Sequence, residues 1–439
     1  MSTNPRRYVV QTAVWANGER FPMIVDRETR LPLLDPTVYA MGQLRQNSVA
    51  ASTIGLEMYG VRVVLQYLEY LAIDLVHRIH KEGKFLEMHE LETIARLCNY
   101  PAGQFEAELE MLGPLAQPKA LNIGNIERFR SKAKGKKSVP TVSKHIANIR
   151  LAYLTKYLKW IADRELLRVD GSSKHYPAVR DSIKIGLEKL SGLRHITPDK
   201  NSLGSPIRGL PEAVRDRIIQ VIELDSHENP WRSHFNRVRN RLYVYWLLEL
   251  ALRKGETLGV MLEDVNFPAL QVDILRRPDN PDDPRGGAAP LAKTRDRRLF
   301  VNERLLEYTE EYLILRRELP KADHEYLFVS SWTGEPISQG AARDIFHTLR
   351  RKVPDLPDNL TARVLRHTWN TQYTLFAHKK GISEATRLQT MRNQNGWSDR
   401  SKMPDRYSHA ATDEISQEES LIYQQEMQNN SKKNRPKQS

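Results

Sequence analysis

The chain has 439 residues, 40% of them hydrophobic, and 67 Lys+Arg against 54 Asp+Glu give a formal net charge of +13. That length supports roughly two to four domains with buried cores, and the cationic excess favours a polyanionic partner, most often nucleic acid, although a solvated basic surface has the same composition. Cys98 is the only cysteine, which excludes an internal disulfide and a cysteine-built zinc site.

The first ten residues, MSTNPRRYVV, contain no apolar signal region, and the longest strongly apolar stretch, YVYWLLELAL (243–252), is too short to span a bilayer. The expected setting is cytoplasmic and nucleoid-associated, with no membrane partner. Residues 1–40 form an N-terminal extension in which RYVVQTAVWANGERFPMIVD alternates around Asn17-Gly18, a pattern that predicts two short strands and a turn.

Helical periodicity dominates residues 41–200. Ile54, Met58, Val61, Leu65 and Leu68 recur at helical spacing, and a second helix is predicted from about Thr141 to Asp163 with Val142, Ile146, Ile149, Tyr153, Tyr157 and Trp160 as its apolar stripe. Just before it, RFRSKAKGKKS carries Arg128, Arg130, Lys132, Lys134, Lys136 and Lys137 and no acidic residue. A loop of this kind neutralises phosphates or serves as a solvated linker. Lys144 and Arg150, on the following helix, are further candidates to reach phosphates.

A Pro/Gly/Ser-rich boundary, HITPDKNSLGSPIRGLPEA, precedes a change of pattern. A buried helix over about 236–252 delivers Arg253 at the rim of a core. QVDILRR (271–277) and LAKTRDRRLFVN (291–302) bracket PDNPDDPRGGAAP, which predicts a β-hairpin with a long tip and sets Lys293 just before its second strand. Asp279, Asp282 and Asp283 in the tip are interrupted by prolines and lack a closing Glu, so no metal site is expected.

LTARVLRHTWN (360–370) then opens a helix at Thr361 with Arg363 and Arg366 on one face. Cations at the positive end of a helix dipole are mildly unfavourable, which raises the question of what anion they meet. Trp397 follows Gly396, and Tyr407 follows ten residues later. Residues 411–428 predict a C-terminal helix, and residues 426–439 a disordered basic tail.

Taken in order, LRKGETLGVMLED (252–264), RVLRH (363–367) and GWSDRSKMPDRYSH (396–409) resemble the tyrosine recombinases, the phage-integrase family. The resemblance implies a mainly α fold with a small antiparallel β-sheet (α+β). It implies a helical core-binding, SAM-like, DNA-binding domain over 41–200 and a tyrosine-recombinase catalytic domain over 205–425. It also implies a site-specific DNA recombinase, an integrase or transposon recombinase, that cuts and rejoins DNA through a 3′-phosphotyrosyl link without metal, ATP or another cofactor.

By the same resemblance, Arg253 and Arg366 clamp the scissile phosphate, Lys293 is the general acid, Trp397 takes the second histidine/tryptophan position and Tyr407 is the nucleophile, with Glu256 and Asp264 in support. Arg363 stands where the family usually has His; it supplies charge but cannot shuttle a proton. The stretches from Arg366 to Trp397 and from Trp397 to Tyr407 are both longer than in most members.

The implied partners are double-stranded DNA with recombination sites, a homotetramer built from a dimer per site, and partner recombinases. The C-terminal helix either docks on a neighbouring subunit or frays locally. Residues 1–40 bind arm-type sites, contact a partner or pack. The competing reading, motivated by Arg363, is a catalytically impaired DNA-binding protein of the same fold.

Overall fold

The computed structural model describes residues 6–112, 140–172, 175–195, 209–278, 280–286, 289–290, 294–319, 322 and 324–433. Lys293 and the basic run 128–138 lie outside the described residues, as does Asp279. The fold is mainly α with small antiparallel sheets, and it divides into two compact units, Met1–Trp15 with Arg20–Asp199, and Ala16–Glu19 with Lys200–Ser439.

In the first unit, β1 (Tyr8–Val14) and β2 (Arg20–Asp26) pair antiparallel from Tyr8↔Asp26 to Val14↔Arg20. Gly18 supplies the positive φ of 79° that the turn needs, and the Asn17 side chain accepts from the Glu19 N–H at 3.0 Å. The short α1 (Leu34–Tyr39) follows, and the hairpin lies on α2 (Ala51–Tyr70), whose Ile54, Met58 and Val61 are buried. Helices α3 (Met88–Leu97) and α4 (Ala102–Leu112) follow.

Next, α5 (Lys144–Leu166) packs beside α2 through Leu151, Leu154 and Leu158, with Ser143 as its side-chain N-cap. The two helices cross closely at Gly60, where a Cβ would meet the Arg150 carbonyl oxygen at 2.9 Å. Helix α6 (Tyr176–Gly192) closes this unit.

The second unit is built around α8 (His234–Glu249), buried almost throughout because its neighbours cover every face: α7 (Glu212–Ile222), α10 (Glu303–Arg317), α11 (Gln339–Lys352) and α12 (Ala362–Lys379). Trp246 on α8 meets Phe328 edge-on at 5.8 Å, one of several aromatic contacts in this core. Helix α8 ends three residues short of its predicted end at 252. Ala251 adopts φ 53°, outside the helical region, and turns the chain so that Arg253 caps the one-turn helix α9 (Lys254–Thr257).

The sheet has three strands, β3 (Val265–Asn266), β4 (Gln271–Ile274) and β5 (Arg297–Phe300), with Val272 paired to Leu299. After α12 come α13 (Glu384–Asn395) and α14 (Met403–Lys433). The C-terminal region departs from expectation here. The helix begins before Tyr407 rather than at 411, and it runs through 426–433, where the sequence predicts a disordered tail. Its Glu and Gln content carries a helix with few apolar anchors.

Candidate active site

Glu256 organises the site. It sits in α9, its side chain is fully buried, and its carboxylate gathers ligands from four directions. Arg253 donates to it twice, from its backbone N–H at 3.0 Å and from Nη1 at 3.0 Å. Arg297 donates from Nη2 at 2.8 Å, Arg366 Nη1 lies at 3.5 Å, and the Thr294 hydroxyl also donates to it. Burial alone would push this carboxyl up; the guanidinium groups of Arg297, Arg366 and Arg253 outweigh burial and hold it at about 2.

Arg366 is 2% exposed and held on three sides. Its Nη1 donates to the Ala251 carbonyl at 2.6 Å, and its Nη2 to the Asn395 carbonyl at 3.0 Å. The turn at Ala251 thus supplies both the exit of Arg253 and an acceptor for Arg366. Burial, then repulsion from Arg253, lowers the Arg366 pKa to about 9 against the pull of Glu256. Arg253 is less enclosed, with its side chain 32% exposed at the rim.

Asn395 and Asn370 exchange side-chain hydrogen bonds at 2.9 and 3.1 Å, tying α13 to α12 beneath Arg366. Helix α13 ends at Gly396 with φ 64°, a left-handed cap that packs against the start of β5. A Cβ there would meet Arg297 Nη1 at 2.8 Å, Thr294 Cβ at 2.9 Å and the Arg295 oxygen at 3.0 Å, so glycine is required.

That cap delivers Trp397. The Arg366 guanidinium carbon lies 5.4 Å from the Trp397 ring centre, and the Trp397 and Tyr407 rings are 5.1 Å apart. The His367 ring also packs against Tyr407, 4.7 Å away. Tyr407 is therefore buried against His367 and Trp397, on the second turn of α14, and both neighbours are fixed by the elements that fix Arg366.

Three buried polar atoms here have no hydrogen-bond partner among the described residues: Arg366 Nε, His367 Nδ1 and Trp397 Nε1. Burying such atoms unpartnered costs about 1–3 kcal/mol each, so their concentration in one place suits an anionic or polar ligand. Burial, then Arg363, Arg366 and Arg406, lower the His367 pKa to about 4 and keep the ring neutral at pH 7.

The structure thus brings together Arg253, Arg366, Trp397 and Tyr407. Arg363 is one turn before His367 on α12 and exposed. Lys293 precedes Thr294, which is tied to Glu256. Of the expected DNA contacts that are described, Lys144 is exposed at the start of α5. Arg150 is turned inward instead: Nη1 donates to the carbonyls of Cys98 at 3.2 Å and Tyr100 at 2.6 Å, satisfying acceptors beyond the end of α3.

Sequence reading did not single out Arg297, Thr294, Asn395 or His367 as site residues. Arg297 was legible in part, because strand alternation puts it on the face of buried Leu299. Nothing local marks Asn395, whose pairing with Asn370 spans two helices.

The phage integrase family model, that of the tyrosine recombinases, matches residues 215–414. Transposase A from transposon Tn554 of Staphylococcus aureus is 28% identical over 137 residues, covering 30% of this chain and 36% of the relative. The chain thus spans about a third of the length of the curated relatives it matches. Among solved structures, the Tn1549 transposon integrase in complex with circular intermediate DNA is 18% identical with a TM-score of 0.44, covering 81% of this chain and 99% of that one. For the XerA recombinase the values are 16% and 0.36, covering 88% and 97%.

Proposed function

We propose that the protein is a site-specific DNA recombinase that cuts and rejoins DNA through a 3′-phosphotyrosyl intermediate. The observation that carries this reading is the burial of Tyr407 with His367 and Trp397, against the arginine cluster built on Glu256. Arg253 and Arg366 offer guanidinium donors to the two non-bridging oxygens, where charge grows in the transition state. Arg363, exposed beside them, adds positive charge to the approach.

The Tyr407 oxygen gives up its proton to solvent and bonds to phosphorus, the bond from phosphorus to the 5′ oxygen breaks, and the leaving oxygen takes a proton from Lys293. The phosphotyrosyl ester conserves the energy of the broken bond, so a 5′-hydroxyl from another strand reverses the step without ATP. Fixed arginine charge does here what a bound metal does in other phosphoryl-transfer sites. DNA is held by the 128–138 basic run and Lys144. Two protomers occupy each site and four make the synaptic complex, alone or with partner recombinases.

Footprinting on DNA from the region that encodes the protein defines the site, and a nicked suicide duplex carrying it then traps the intermediate. Wild-type protein is expected to form a covalent adduct that resists denaturation, and Tyr407→Phe none. Site binding with no wild-type adduct would instead identify an impaired DNA-binding protein. Relaxation of supercoiled plasmid without site preference would point to a topoisomerase.

A further inference from the structure

The long stretch between Arg366 and Trp397 holds the rest of α12 and all of α13, and one α13 side chain reaches past the site to the helix that carries Tyr407. Arg387 Nη1 donates to the Ser408 hydroxyl at 2.6 Å. Ser408 is the residue after Tyr407, is 2% exposed, and donates in turn to the Pro404 carbonyl at 2.8 Å. Thr374 Oγ1, on α12, lies 3.4 Å from the same hydroxyl, and the Met391 sulfur, on α13, lies 3.6 Å from it. Ser408 is therefore a buried polar pin where α12, α13 and α14 meet, with Arg387 as its charged donor. The Arg387 side chain is only 13% exposed, and its other contact is a long one to Glu384 at 3.5 Å.

We propose that Arg387 is a positioning residue for Tyr407, holding the first two turns of α14 onto the protomer that also supplies Arg253 and Arg366. The proposal rests on the recombinase reading above. The hydrogen bond to Ser408 fixes the residue bonded to Tyr407, and so fixes the direction in which the phenol leaves the helix. Aromatic packing by His367 and Trp397 is non-directional and tolerates sliding of the ring; the charge-assisted bond from Arg387 supplies the missing constraint along the helix. Arg387 stays a helix away from the phosphate and touches no reacting atom.

Single-turnover cleavage of the footprinted nicked duplex, measured across protein concentration, separates binding from chemistry. Arg387→Ala is expected to leave the half-saturating concentration within about twofold and to lower the rate at saturation on the order of 10- to 100-fold, the penalty for small misplacement of a reacting group. Arg387→Lys keeps a donor and is expected to recover most of the rate. Ser408→Ala removes the same bond from the other side, without cutting back a large side chain, and the double variant is expected to be no slower than the slower single one.

Cleavage by Arg387→Ala or Ser408→Ala within twofold of wild type at saturation overturns the proposal, as does a loss of binding that accounts for the whole defect. Strictly additive losses in the double variant overturn it too. If wild-type protein itself forms no adduct, the recombinase reading fails, an outcome distinct from an active wild type with indifferent variants.

Discussion

Glu256 shows how one buried carboxylate organises a cationic site. Three guanidinium groups and a threonine hydroxyl share it, so its loss strands charge in the core rather than removing a single contact. Glu256→Gln should destabilise the second unit by roughly 3–5 kcal/mol at pH 7, read by urea denaturation. The sign with pH follows from its depressed pKa. The stabilisation is present above the unfolded carboxyl's ordinary value and is lost as pH falls toward about 2, so wild type and variant should converge in acid. His367 behaves the opposite way for a histidine that gains a partner: its folded pKa is lowered, to about 4 from 6.5, by burial and by arginines. The unfolded chain binds the proton more readily in that window, so stability should fall as pH drops through it. An NMR titration of the His367 ring is expected to show a midpoint near 4, and one near 6.5 would refute the enclosed geometry.

At the scale of elements, the site is a set of helix ends rather than helix faces. Helix α8 stops at Glu249 so that Arg253 can leave the core, α13 is capped by Gly396 so that Trp397 can turn inward, and α12 is capped by Thr361 so that Arg366 and His367 lie in its first turns. The first of these turns carries strain, because Ala251 holds φ 53° while completely buried. Ala251→Gly removes that strain and leaves the carbonyl that receives Arg366. It should raise stability by about 1 kcal/mol, measured as an increased Tm, despite deleting a buried methyl group. A lower Tm would mean that the methyl group's packing outweighs the strain. The start of α14 belongs to the same logic, since its role in carrying Tyr407 depends on what α13 places beneath it.

For the whole molecule the governing quantity is charge. Under the proposed function, six cations in 128–138 and a net +13 would make DNA binding depend on phosphate neutralisation, with affinity falling steeply as salt rises. Replacing those six with Gln should weaken binding to all duplexes alike and flatten the log–log salt slope by as much as about 5, measured by fluorescence anisotropy. A slope that does not change would make the segment a solvated linker. No helix among the described residues is long and apolar enough to cross a membrane.

Much of this was legible in the chain itself. Helical spacing located α2, α5 and α8, because burial on one stripe leaves a periodic trace, and Asn17-Gly18 announced its turn. The two arginines, the tryptophan and the late tyrosine that the structure brings together stood in readable order. What only the tertiary structure decided was where each charge is spent. Arg150 and Arg366 are both helical arginines, yet one serves carbonyls beyond the end of α3 and the other joins the Glu256 cluster. The early stop of α8, the merging of the C-terminal segments into one helix and the reach of Arg387 to Ser408 were equally silent. A hydrogen bond depends on what lies within 3 Å in space, and residues brought together from separate helices leave no periodic mark along the chain.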